Sequence, residues 1–139
     1  MAVTYQILAR RGVVYVRFEG KAVVAESFDA LARLARDPEY RPDHSQLIDL
    51  TGVTDVELDY VELFKLHARK AEMFESNNGH MLVVYVAPTE VSLGLANLIT
   101  RSWDGVKGLT NRIAQNEAEA LDILGLPHGS IAMLIGEEA

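Results

Sequence analysis

The chain contains no cysteine, so it has neither a disulfide framework nor thiolate chemistry. Positive charge is scarce: 13 Lys and Arg stand against 20 Asp and Glu, a net charge of −7 over 139 residues. A general binder of nucleic-acid phosphates needs the opposite balance, and no nucleic-acid partner is expected. No apolar run approaches the ~20 residues of a membrane-spanning helix, so no integral membrane insertion is expected. The first residues, Met1 to Val14, lack the basic-then-apolar order of a signal peptide, and a cytoplasmic location is expected. No Gly-x-Ser-x-Gly elbow, Walker loop or dinucleotide-binding glycine fingerprint occurs. The four histidines, His44, His67, His80 and His128, are scattered without the close pairing of zinc ligands. No catalytic residue, resident metal or cofactor is expected, and the reading is non-enzymatic.

The chain does contain an ordered alternation of strand-like and helix-like segments. Val3 to Leu8 and Val13 to Phe18 are rich in β-branched and aromatic residues, with Arg10-Arg11-Gly12 as a turn between them. They predict an amino-terminal antiparallel hairpin, ended by Gly20. A helix follows from between Val23 and Glu26 to the residues before Asp37-Pro38, with Val24, Phe28, Leu31, Ala32 and Ala35 on one side. Leu47 to Leu50 reads as a central strand stopped by Thr51-Gly52, and a loop then leads to a long helix beginning near Leu58. Val61, Phe64, Ala68 and Ala71, widened by Tyr60, Leu63 and Phe74, are expected to face the sheet. Leu66 and Met73 fall outside that stripe and are candidate interface residues.

Met81 to Ala87 is a nearly continuous apolar run, as expected of a strand buried on both faces. Thr89 is a candidate N-cap for a helix in which Val91, Leu95, Leu98, Ile99 and Trp103 share a face, with Gly94 permitting close packing at its edge. Leu109 to Ala114 reads as a short edge strand, Asn116 as the cap of a helix over Glu117 to Leu124, and Gly125-Leu126-Pro127 as its end. The expected fold is α/β: a hairpin followed by βα units, with a mixed, mostly parallel sheet and four helices. One domain is expected over residues 1–127. Residues 128–139 form an apolar tail packed on that domain or on a second copy, with Ile131, Met133 and Leu134 as candidate interface residues.

Ligands of open α/β sheets meet the loops at the carboxyl ends of the strands. Thr51, Gly52 and Thr54 after the central strand, and Pro88 and Thr89 after the next, are therefore candidate ligand-binding residues. Tyr60 is placed in the cleft between them. Free N–H groups at the two helix starts are expected to suit a carboxylate or phosphate. Asp49, Asp55, Glu57 and Asp59 could offer oxygen to a hard cation, but they lack the spacing and central glycine of a calcium loop. Their expected role is to charge a helix start.

Three stretches carry a family resemblance: VVYVRFEG at Val13 to Gly20, LIDLTGV at Leu47 to Val53, and VVYVAPTEVSLGLANLI at Val83 to Ile99. Their order resembles the SpoIIAA-like fold of the STAS domains, the anti-sigma-factor-antagonist family, and is similar to small bacterial STAS-like proteins. The resemblance covers about Tyr5 to Leu126. It implies a regulatory or protein-interaction domain with a protein partner, and a homodimer is expected. Members of the family exchange partners when a Ser or Thr at the start of the helix after the central strand is phosphorylated. The corresponding residues here, Asp55 to Tyr60, hold no Ser or Thr, and Thr54 is the nearest candidate. The acidic neighbours disfavour a phosphate there. Lipid-holding relatives imply an alternative, a carrier of a small amphipathic molecule using the loops named above.

Overall fold

A computed structural model describes residues 2–41, 43–57, 59–65, 68, 81–102 and 108–138 of the chain. The order is β1 (Ala2–Leu8), β2 (Val13–Val23), α1 (Val24–Arg36), β3 (Ser45–Glu57), α2 (described over 60–65), β4 (Met81–Val86), α3 (Glu90–Ser102), β5 (Leu109–Ala114), α4 (Glu117–Ile123) and α5 (Ile131–Glu138). The five strands form one sheet in sequence order, β1 antiparallel to β2 and the rest parallel. The fold is therefore α/β with a mixed sheet. The hairpin turn closes through Arg11 N to Leu8 O at 3.1 Å, and Gly12 takes a φ of 65°.

Alternation along the strands sorts the core onto two faces. On β4, Val83 and Tyr85 pack with Ala96, Leu95 and Ile99 of α3. Val84 and Val86 point the other way, toward Leu121 of α4 and Leu134 of α5. Val14 meets Leu31 and Leu34 of α1, and Val16 joins that cluster to the α3 side. Helices α1 and α3 thus cover one face, α4 and α5 the other.

Several expectations need correction. β2 does not end at Gly20; it runs on to Val23 and passes directly into α1. Gly20, with φ 76°, instead marks a register shift against β3. β3 does not stop at Thr51-Gly52 either. It continues for 13 residues to Glu57, pairing with β4 through Asp49 and with β2 to its end. Gly52 does not turn the chain: a Cβ there would lie 3.1 Å from the Phe18 carbonyl oxygen, so the glycine permits close approach of β2. In α1 Leu34 is buried whereas Ala35 is exposed; the Val24 and Phe28 side chains lie outside the described residues. A Cβ added to Gly94 would meet nothing within 4 Å among the described residues, so this glycine is not a packing contact, and Val91 is exposed. Ser92 takes the inward place instead.

The carboxyl-terminal residues form a fifth helix. Ile131 and Leu134 are 4% and 0% exposed, inside the core that also holds Leu8, Tyr15 and Val84. They are therefore not available as the surface interface residues expected above. Met133, by contrast, is exposed. Polar contacts fasten α5 at both ends. Ile131 N donates to Glu117 Oε1 at 3.0 Å, and Arg10 N donates to Glu138 Oε1 at 2.8 Å. Arg11 donates twice to Glu137, at 2.9 and 3.0 Å, and His128 Nε2 lies 2.9 Å from Glu137 Oε2. The Arg11 hydrogen bonds, with its charge and His128 adding to them, lower the Glu137 carboxyl from 4.5 to about 2.

This anchoring can be tested in two ways. Leu134→Ala should cost about 2–5 kcal/mol by denaturant titration, and deletion after His128 should lower the melting temperature; unchanged melting would contradict the packing. Because folding depresses the Glu137 carboxyl, its stabilisation is present above 4.5 and is lost as the pH falls toward 2. Glu137→Gln should therefore lower melting at neutral pH and flatten the loss of stability across that acid window.

Candidate functional site

The neighbouring strands β4 and β5, the second at the sheet's edge, send their chains to opposite faces. After β4, Ala87-Pro88-Thr89 leads to α3 on one face; after β5, Gln115-Asn116 leads to α4 on the other. Divergence of adjacent βα connections opens a crevice at the carboxyl edge of an open sheet. Here it has a volume of about 700 Å³. Pro88, Thr89 and Leu93 line one wall, and Ile113, Gln115 and Glu119 the other. The edge is drawn tight beneath it by Ala87 N donating to Ala114 O at 2.9 Å.

Both helix starts beside the crevice are capped by their own residues. Thr89 N donates to Ser92 Oγ at 2.9 Å and Ser92 N donates to Thr89 Oγ1 at 3.1 Å, a reciprocal box in which Ser replaces the usual Glu or Gln. The two hydroxyls are also hydrogen-bonded, at 2.8 Å, and Ser92 Oγ donates to Thr89 O. At α4, Glu119 N donates to Asn116 Oδ1 at 2.9 Å. These N–H groups are therefore engaged, and Glu90 and Glu119 bring carboxylates to the same lining. Of the two helix starts expected to suit a carboxylate or phosphate, those after β3 and β4, the second thus has its Thr89 and Ser92 N–H groups occupied by the cap and Glu90 beside them.

Two of the six candidate ligand residues border this crevice. Pro88 and Thr89 line the crevice; Thr51, Gly52, Thr54 and Tyr60 do not. Thr51 and Thr54 are exposed on the extended part of β3, and Thr51 N donates to Asp49 Oδ1 at 3.0 Å. Asp49 Oδ2 accepts the Tyr15 hydroxyl at 2.8 Å; burial first, and then this bond, push the Tyr15 phenol well above its usual range. The acidic residues are dispersed rather than convergent. Asp55 accepts Val56 N, Asp59 accepts Val61 N and Glu62 N at the start of α2, and Glu57 lies 3.8 Å from Lys21. Among the described residues no three His, Asp or Glu side chains are grouped to hold a metal.

Helix α2 differs from its expected orientation. Leu63 is buried at 7% exposure, whereas Tyr60, Val61 and Phe64 are 60, 63 and 68% exposed. The stripe expected to face the sheet therefore begins on the outside. Leu66, Met73, Ala71, Phe74, His67, His80 and Trp103 lie outside the described residues. His44 is buried edge-on to Tyr40, and its Nδ1 has no hydrogen-bond partner among the described residues.

Glu90, Asn97, Ile113, Gln115 and Glu119 are crevice residues that the motif search did not single out. The available signal was the change of helix face after β5, since a doubly buried β4 requires cover on both sides. In comparisons with known proteins, no family model matches the chain and no curated protein matches it.

Ser92→Ala leaves the Thr89 N–H without its side-chain acceptor at a part-buried helix start. It should destabilise the fold by about 1–2 kcal/mol in chemical denaturation, and an unchanged midpoint would contradict the cap's role.

Proposed function

We propose that this protein is a non-enzymatic regulatory and protein-interaction domain of the STAS type, without the usual phosphorylatable serine, acting in the cytoplasm as a homodimer or with a protein partner. The observation that carries the reading is the exposure of Tyr60, Val61 and Phe64 at the start of the helix after the long central strand. Large apolar groups grouped on a surface favour a protein contact. Their position corresponds to the segment through which the resembling family exchanges partners. The hairpin followed by βα units supports the same reading.

The crevice favours a second reading, a small-molecule carrier. Its volume of about 700 Å³ lies within the range of ligand sites, and it occupies the edge where such sheets take ligands.

The interaction reading is tested with Val61→Ser/Phe64→Ser. Both side chains are largely exposed, so melting should change little while a wild-type dimer, weighed by native mass spectrometry, becomes a monomer. A monomeric wild type, together with no protein partner whose binding the double variant weakens, would contradict the reading.

A further inference from the structure

We propose that the crevice between β4 and β5 binds an aliphatic ammonium ligand, a small amine with a short apolar chain. The inference rests on the ligand-binding reading of the crevice and goes further by assigning the ligand's chemistry.

Charge points to a cation. Glu90 from α3 and Glu119 from α4 reach the lining from opposite walls, and no Lys or Arg among the described residues lines it. Elsewhere on the described surface, Arg17 pairs with Glu19, Lys21 with Glu57, Lys65 with Glu62, and Arg11 with Glu137. Among the described residues, Glu90 and Glu119 form no ion pair. A helix start offsets only about half a unit of charge. The two carboxylates therefore leave the crevice net negative, which repels an anion and favours a cation.

The remaining lining decides which cation. Leu93 and Ile113 give the crevice an apolar component, which suits methylene groups, and among the described residues no three His, Asp or Glu side chains are grouped to hold a metal ion. Asn97 and Gln115 add carboxamides, each able to accept from an ammonium group or donate to a hydroxyl. An ammonium carries three donors and no acceptor, matching carboxylate and carboxamide oxygens. A linear diamine can address both walls at once.

The test is an NMR titration of the intact chain with 1,4-diaminobutane, n-butanol and butyrate, following the Asn97 and Gln115 side-chain amides and the Leu93 and Ile113 methyls. Diaminobutane should shift these resonances saturably and more strongly than the other two. Glu90→Gln/Glu119→Gln, at exposed positions, should retain the folded spectrum and weaken binding roughly tenfold. If butanol or butyrate binds as well as the diamine, or the double variant binds it unchanged, the ammonium assignment is overturned while the crevice remains a ligand site. If none of the three probes shifts these groups, the ligand-binding reading falls with it.

Discussion

Strand β4 must be buried on both faces, and the rest of the arrangement follows from that requirement. Val83, Val84, Tyr85 and Val86 are 3% exposed or less, and each fully buried side chain of this size contributes roughly 1.5–3 kcal/mol. Cover on one face alone would forfeit about half of that. Helix α3 supplies one cover, and α4 with α5 supplies the other. Connections leaving β4 and β5 must then part toward opposite faces, and the space where they part is the crevice. The candidate ligand site is a consequence of how the core is closed.

The second face also explains why the chain continues past α4. That helix has seven residues and buries Ala120 and Leu121. Gly125, at φ 73°, ends it, with Gly125 N donating to Asp122 O and Leu126 N to Leu121 O. The turn lets α5 add Ile131 and Leu134 to the same core. Arg11 and His128 then converge on Glu137, tying the last helix to the first hairpin. The helix starts bordering the crevice are closed by local hydrogen bonds. Thr89 with Ser92, and Asn116 with Glu119, satisfy local donors from within the chain. An incoming ligand would therefore meet side chains rather than those N–H groups.

Much of the fold was legible because it rests on local chemistry. The hairpin, β4, β5 and the caps at Thr89 and Asn116 depend on alternation or on side chains within three residues of the backbone they serve. β3 was harder. Thr51-Gly52 has turn composition, yet the glycine answers to the Phe18 carbonyl on another strand, a long-range constraint invisible in local composition. The α2 phase was ambiguous because Tyr60, Val61, Leu63 and Phe64 are apolar around most of the helix, so periodicity could not choose between Leu63 and Phe64 as the inward residue. The crevice was half legible: Pro88 and Thr89 follow from the strand-end rule, whereas Glu90 and Glu119 become neighbours of one space only when α3 and α4 are placed on opposite faces. The tail's apolar character was visible, but its helical form and its fastening by Arg11 were not.

The most direct test is a set of methyl and aromatic NOEs from β4. Cross-peaks are expected from Val84 and Val86 to Leu121 and Leu134, and from Val83 and Tyr85 to Ala96 and Leu95. That pattern places α3 and α4 on opposite faces and creates the crevice between their starts. Cross-peaks from Val84 to Ala96, or from Val83 to Leu121, would put both helices on one face. They would contradict the burial of β4, the parting of the connections and the site built on it.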